Sequence, residues 1–264
     1  MMKERTFRVL EFTKIRDRLA SKAMTDMGRE RCEALVPSSN ITEIQRMQAE
    51  TEEATVILQY VGASPLVPFS DVRASLTLAE KGATLSPKAL LEVAALMQSA
   101  RAARKALDTE RDNTPILKEL AQRLSTLHNV EQDITNAIIS EDEIADRASN
   151  ELMDIRRHLR GANERIKEKL NQMIRSSAFQ KYLQDPIVTM RNDRYCLPVK
   201  AEYRGSVPGL VHDQSSTGAT LFIEPMAAVE MGNELKTWAA KEKQEIERIL
   251  ACLLYTSPSP RDRG

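Results

Sequence analysis

The chain has 264 residues, in which 38 Lys and Arg balance 38 Asp and Glu, and 42% of the residues are hydrophobic. This apolar content excludes a chain that is disordered throughout, and no run of 18 apolar residues predicts a membrane span. Three scattered cysteines without a Cys-x-x-Cys pair argue against a disulfide framework or a zinc site and favour a cytoplasmic setting. Aromatic residues are few and strong helix formers are abundant, so a mainly α fold is expected.

Residues 1–143 are predicted to form a helical core. Apolar side chains recur at helical spacing from Phe7 to Leu35, which predicts an opening helical segment. Asn40 is followed three residues later by Glu43, as in a capping box, so a second helix is predicted to begin there.

Two further helix starts are marked by proline in the first turn. Ser86 precedes Pro87 and an alanine-rich stretch, which predicts a helix over residues 87–107. A second helix is predicted to start at Pro115 and to end near Leu127.

Residues 144–185 are predicted to form an outgoing lever helix. Apolar residues recur there at spacings of three and four, close to a heptad seam: Ile144, Ala148, Leu152, Ile155, Leu159, Ala162, Ile166, Leu170 and Met173. A helix of about 35 residues would reach about 50 Å, so we expect it to project and to pair with another helix. A long buried core helix is the alternative.

Residues 186–225 are predicted to form a β-containing clamp at the tip, after Asp185-Pro186 stops the helix. Two pairs of short β-like runs flank polar turns at residues 191–194 and 213–218. A returning lever helix over residues 226–250 would lie antiparallel to the first. Residues 251–264 interrupt its periodicity and are interpreted as a non-native tail.

Motifs for catalysis are missing from the sequence. It contains neither G-x-x-x-x-G-K-[ST] nor G-x-G-x-x-G, and its three histidines lack metal-ligand spacing. No catalytic residue, cofactor or metal is therefore predicted for this chain.

Charge is distributed unevenly along the chain. From Arg156 to Arg204 there are 12 Lys and Arg against 5 Asp and Glu. Such an excess suits phosphate backbones, whose affinity comes from cations that release counterions, although a solvated helix face is the alternative reading. Polar clamp residues can add hydrogen bonds to phosphate. The predicted nucleic-acid-binding residues are Arg191, Asn192, Arg194, Lys200, Arg204, Gln214 and Ser215.

The two clamp stretches carry a family resemblance. Asp185-Pro-Ile-Val-Thr-Met-Arg-Asn-Asp-Arg-Tyr-Cys-Leu-Pro-Val-Lys200 and Gly209-Leu-Val-His-Asp-Gln-Ser-Ser-Thr-Gly-Ala-Thr-Leu-Phe-Ile-Glu-Pro225 resemble the hallmark stretch of the MutS-two family, the Smr-bearing bacterial paralogue of MutS. The opening Leu10-Glu-Phe-Thr-Lys-Ile15 is similar too, and the resemblance covers roughly residues 4–250.

The resemblance implies an N-terminal core, lever and clamp fragment. In the family an ATPase domain that uses ATP and Mg follows, and then an Smr domain linked to endonuclease activity. Such proteins act as homodimers on branched DNA, where they limit recombination, or on the ribosomal RNA of collided ribosomes, which they rescue. This chain contains neither domain, so no hydrolase residue carries over, and we expect it to be inactive alone.

Two functions from different classes follow. The first is a clamp that grips branched duplex DNA or ribosomal RNA through phosphates. The alternative is a structural coiled-coil or dimerisation arm whose seam docks a partner helix without nucleic-acid contact. Salt-sensitive binding of nucleic acid is expected of the clamp. Sedimentation equilibrium with and without nucleic acid distinguishes the two, because a stable dimer indifferent to DNA and RNA would support the arm.

Overall fold

The computed structural model describes residues 7, 9–62, 66–108 and 113–254. These fall into two compact units, one built from the residues up to Ala145 with those from Leu250 onward, and the other from Asp146–Ile249. Within the described residues, no helix is both long and apolar enough to span a membrane. The mainly α fold with a small β element is confirmed.

Seven helices and a short hairpin are described in the first unit. They are α1 (Phe12–Ala20), α2 (Asp26–Glu33), α3 (Ile41–Val61), α4 (Arg73–Glu80), α5 (Pro87–Leu107), α6 (Pro115–Gln122) and α7 (His128–Ala137), followed by antiparallel β1 (Ile138–Ser140) and β2 (Glu143–Ile144). Helix α5 packs against α6, α7 and β1.

Helix starts that depend on local capping are confirmed. Asn40 Oδ1 accepts hydrogen bonds from the backbone N–H of Thr42 at 3.0 Å and of Glu43 at 3.4 Å. Ser86 Oγ accepts one from the N–H of Ala89 at 3.2 Å. Each bond satisfies an N–H that the first turn of a helix leaves without an intrahelical partner.

Helix lengths in the first unit depart from the predictions. The stretch from Phe7 to Leu35 is not one segment, because Thr25 Oγ1 accepts a hydrogen bond from Gly28 N at 3.1 Å and starts α2. The helix predicted to reach Leu127 ends at Gln122. In both places the apolar spacing continues past the residue where the helix stops, so the spacing alone does not show where the helix ends.

In the second unit, a four-stranded sheet comes between two long helices in sequence order. After a 3₁₀ turn come α8 (Asn150–Arg175), α9 (Ser177–Gln180), β3 (Thr189–Arg191), β4 (Arg194–Lys200), a second 3₁₀ segment (Ala201–Ser206), β5 (Gly209–Gln214), β6 (Thr220–Pro225) and α10 (Met226–Leu254). The residues of α10 from Leu250 onward are counted with the first unit. The strand order is β3-β4-β6-β5, and every neighbouring pair is antiparallel.

The outgoing helix is shorter than predicted. Helix α8 has 26 residues, which corresponds to about 39 Å at the α-helical rise. It starts at Asn150 because Ser149 Oγ accepts a hydrogen bond from Leu152 N at 2.9 Å, and residues 138–144 form a hairpin instead. It ends before the extended residue Ser176, so Asp185-Pro186 does not stop it.

The returning helix is longer than predicted. Helix α10 continues through Leu254, four residues beyond the expected end at residue 250. Residues 255–264 of the predicted non-native tail lie outside the described residues.

Helices α8 and α10 pair in antiparallel fashion. Ser149 donates a hydrogen bond to Glu245 at 2.5 Å, and Arg165 forms an ion pair with Glu234 at 2.8 Å, so the two sequences run in opposite directions. Between these contacts the Trp238 indole stacks on the His158 ring, with centroids 4.4 Å apart and planes 4° from parallel.

The core of the second unit joins the sheet to both helices. Its buried side chains come from the C-terminal half of α8, strands β4 and β6, the start of α10 and two connecting segments, which contribute Leu183 and Val207: Ile166, Leu170, Leu183, Leu197, Val199, Val207, Ile223 and Ala228. Fully burying each larger aliphatic side chain contributes roughly 1.5–3 kcal/mol. The sheet is therefore fixed to these ends of the helices by apolar packing.

Candidate nucleic-acid interface

The β3–β4 hairpin turns in only two residues. Asn192 and Asp193 both have left-handed backbone angles, with φ of 51° and 58°. Two successive positive φ values are typical of the hairpin turn that matches strand twist, and Asn and Asp tolerate them better than most residues. Asn192 Nδ2 donates to the backbone oxygen of His212 at 3.0 Å, so the turn lies against β5.

Arg191 lies beside this turn and is partly neutralised. Its guanidinium carbon lies 4.0 Å from the centroid of the Phe222 ring, and Nε lies 3.2 Å from Asp213 Oδ2. The side chain keeps 38% of its surface exposed. Arg191 can therefore still reach an anion, but in competition with the Asp213 carboxylate.

Arg194 is used inside the protein. Its Nη1 donates to Glu224 Oε1 at 3.1 Å and its Nη2 to Asn233 Oδ1 at 2.7 Å. The Arg194 side chain is 14% exposed and the Glu224 side chain 0%. The second Glu224 oxygen lies 2.7 Å from His212 Nε2. Both terminal nitrogens of Arg194 therefore donate to protein groups.

Three predicted residues gather at the other end of β4 and β6. Lys200 lies opposite Thr220 in the sheet. Ser215 Oγ accepts a hydrogen bond from Thr220 N at 3.1 Å, and Gln214 lies opposite Leu221 with its side chain exposed. The β5–β6 turn thus places one cation and two polar side chains near one another.

Arg204 is exposed in the 3₁₀ segment between β4 and β5. Its Nη2 donates to the backbone oxygen of Gly209 at 3.3 Å, which holds the side chain beside the start of β5. The seven predicted residues are therefore spread over three segments: the β3–β4 hairpin, the end of β4 with the β5–β6 turn, and the 3₁₀ segment. The Arg191–Asp213 contact brings the hairpin to the strand that ends at Gln214.

Acids from outside the basic stretch compensate half of its cations. Six of the 12 cations from Arg156 to Arg204 form ion pairs, all with acids before residue 156 or after residue 204. Residues 146–249 together contain 17 Lys and Arg and 15 Asp and Glu. The excess seen in the linear sequence is therefore much smaller in the folded unit.

The other six cations have no ion-pair partner within the described part of the chain. We call them the unpaired cations: Lys167, Lys169, Arg175, Lys181, Lys200 and Arg204. Four of them lie on α8 or just after it, which the list of predicted site residues omitted. Lys167 lies 5.9 Å from the centroid of the Tyr195 ring, so it lies beside β4. The uneven charge count pointed to these positions, but it did not separate paired from unpaired cations.

The surroundings of two side chains in the second unit, Asp146 and Cys196, shift their pKa values. The hydrogen bond from Arg156 is the main reason that the pKa of Asp146 lies below its usual value. Burial in β4, followed by the nearby Glu224 charge, raises the pKa of the Cys196 thiol to about 11. Cys196 is therefore a protonated, unreactive thiol at neutral pH.

No metal-ligand constellation is found among the described residues: no three His, Cys, Asp or Glu side chains converge on a point where an ion could be held.

Comparison with known proteins gives one consistent relationship. No family model matches the chain. It is similar to proteins named Endonuclease MutS2. The Acetivibrio thermocellus protein is 46% identical over 254 residues, and those of Alkaliphilus oremlandii and Symbiobacterium thermophilum are each 48% identical over 251 and 252 residues. These alignments cover 94–96% of the chain but 32% of each relative. The chain therefore spans about a third of the length of the Endonuclease MutS2 proteins it matches.

Proposed function

We propose that the chain is the N-terminal core, lever and clamp part of an Endonuclease MutS2-like protein, and that its second unit grips nucleic acid through phosphates. The similarity in the preceding subsection supports the family part of this proposal. The unpaired cations support the grip, because they lie on α8 and around the sheet rather than in ion pairs.

In the whole protein we expect this grip to be coupled to an ATPase that binds ATP and Mg and to an Smr nuclease. Branched duplex DNA and ribosomal RNA are the proposed partners, since phosphate contacts do not require a base sequence. A homodimer, which the family resemblance implies, and a cytoplasmic location, which the cysteine content favours, both remain predictions.

The alternative, an arm whose seam docks a partner helix, has less support. The seam side chains Leu152, Ile155, Ala162, Ile166 and Leu170 are buried within this chain. Ile166 and Leu170 are part of the core of the second unit, and the other three are buried as well, so little of the seam is left for another helix.

The proposed grip is tested by replacing two of the unpaired cations, Lys200 and Arg204, with alanine. Lys200→Ala with Arg204→Ala should weaken binding of a DNA duplex and reduce the slope of log affinity against log salt by about 0.9 for each lost phosphate contact. Lys22→Ala, an exposed cation of the first unit, is the matched control. Fluorescence anisotropy over a salt series measures both quantities.

Equal slopes for the double variant and the control would refute this grip. Adding a four-way junction and purified ribosomes as competitors in the same titration ranks the proposed partners. If the chain binds none of these nucleic acids, the structural arm becomes the favoured function.

A further inference from the structure

Gly232, in the interior of α10, faces the ion pair between Arg194 and Glu224. A Cβ atom at this position would lie 2.5 Å from Glu224 Oε1 and 2.7 Å from Arg194 Nη1, closer than real side chains approach. Glycine inside a helix is unfavourable by about 1 kcal/mol relative to alanine. The space needed by the ion pair explains why this helix contains glycine here.

The ion pair belongs to a cluster that joins β4, β5, β6 and α10. We call it the Glu224 cluster: Glu224, Arg194, His212 and Asn233. Arg194 begins β4 directly after the Asn192–Asp193 turn, and it is held by Glu224 from β6 and by Asn233 from α10. A buried carboxylate with two partners resists displacement, because losing one partner leaves a charge uncompensated.

We propose that Glu224 and Gly232 are positioning residues, which fix the β3–β4 hairpin on helix α10 and thereby set where the hairpin meets nucleic acid. This inference rests on the proposed grip. It assigns Arg194 to the anchoring of the hairpin rather than to phosphate contact, and it makes Gly232 the position where α10 leaves room for that anchor.

Cys196 provides a readout of the hairpin that needs no nucleic acid. It lies two residues after Arg194 and is fully buried. Because the Glu224 and Arg194 charges lie near this thiol, we expect a hairpin that loses the Glu224 cluster to expose it to reagent. Replacing Cys32 and Cys252 with Ser leaves Cys196 as the one thiol of the chain.

In the protein that keeps only Cys196, Gly232→Ala is compared with Gly161→Ala. Both changes put alanine into a helix interior, but a Cβ at Gly161 would meet only the end of Arg165, at 4.0 Å. We expect Gly232→Ala to raise the rate of Cys196 labelling by a thiol reagent about tenfold, and Gly161→Ala to change it less than about twofold. Affinity for a DNA duplex at low salt should fall about fivefold for Gly232→Ala alone.

A second variant tests the same anchor with a change that is not expected to unfold the protein. Asn233 is exposed, and Asn233→Ala removes only the contact to Arg194 Nη2, so circular dichroism should show an unchanged helix content. It should change labelling and affinity in the same directions, by a smaller factor.

Equal labelling rates for Gly232→Ala and Gly161→Ala would overturn the inference, and so would faster labelling with unchanged affinity. If the unsubstituted protein binds no nucleic acid, the proposed grip fails. Faster labelling of Gly232→Ala would in that case still support the anchoring of the hairpin to α10.

Discussion

At the scale of single residues, the start of β5 depends on the absence of a side chain. A Cβ atom at Gly209 would lie 2.2 Å from the backbone oxygen of Glu224 and 2.7 Å from Ile223 Cγ2. Backbone atoms cannot rotate away as a flexible side chain can, so the two strands would have to separate. The close approach of β5 to β6 therefore requires glycine at this position.

Gly209→Ala should destabilise the second unit by about 1–3 kcal/mol, the range measured for overpacked sites. Gly205→Ala is the matched control, because nothing lies within 4 Å of a Cβ there. Its effect should stay within about 0.5 kcal/mol. Urea unfolding followed by circular dichroism measures both, and similar midpoints for the two variants would contradict the close approach.

The hairpin residues show what sequence reasoning could and could not find. Arg191 and Arg194 are equivalent in a charge count, and the polar turn between them was predicted from residue types alone. Only the fold brings Glu224, 30 residues after Arg194, within 3.1 Å of it. No local pattern encodes that pairing, so the sequence could not distinguish an exposed cation from an anchored one.

At the scale of elements, helices α5 and α7 are joined by a partly buried ion pair. Arg101 Nη2 lies 2.8 Å from Glu131 Oε1, and the Glu131 side chain is largely buried. The hydrogen bond from Arg101 lowers the pKa of Glu131 below its usual 4.5. The folded protein therefore binds a proton at Glu131 less readily than the unfolded chain does.

Glu131 should make stability fall as the solution becomes acidic. The unfolded chain takes up a proton near pH 4.5 while folded Glu131 stays ionised, so the stabilisation is complete above that pH and is lost as pH falls through the lower folded pKa. Glu131→Gln should flatten this part of the profile. Glu119→Gln, which removes a pair between two exposed residues, should leave it unchanged. Urea titrations at several pH values provide the comparison.

Helix starts whose capping residue was recognised in the sequence were more predictable than limits inferred from apolar spacing alone. Asn40 and Ser86 were identified because a cap and the N–H groups it satisfies are neighbours in the sequence. The limits of α8 were missed because apolar spacing continues through Ile144 and Ala148, while Ser149 and the β1–β2 hairpin interrupt the helix. Periodicity shows which residues share a face, but it does not show where the backbone leaves the helix.

At the scale of the whole molecule, apolar exposure is concentrated in the first unit. Val9, Leu10, Ile15, Val36 and Ile41 each leave more than 60% of their surface exposed. An open groove of about 650 Å³ lies in the same unit, and it is lined by Phe12, Leu35, Val36, Ile44, Met47 and other residues. Exposed apolar surface of this kind attracts apolar small molecules.

The chain should therefore enhance the fluorescence of an apolar dye such as ANS while fully folded. Val36→Asp places a charge at the edge of the groove, in a segment without helix or strand, and should reduce the enhancement by about half. Ile187→Asp, an exposed apolar residue of the second unit, is the control and should have little effect. Equal enhancement in both variants would show that the dye binds elsewhere.

The stacking of His158 on Trp238 has a practical consequence. Trp238 is the single tryptophan of the chain, so all indole emission originates at one point between α8 and α10. An event that parts these two helices would change the colour and intensity of that light without any added label. Trp238 is thus an intrinsic fluorescence probe for the separation of the two helices that pack against the sheet.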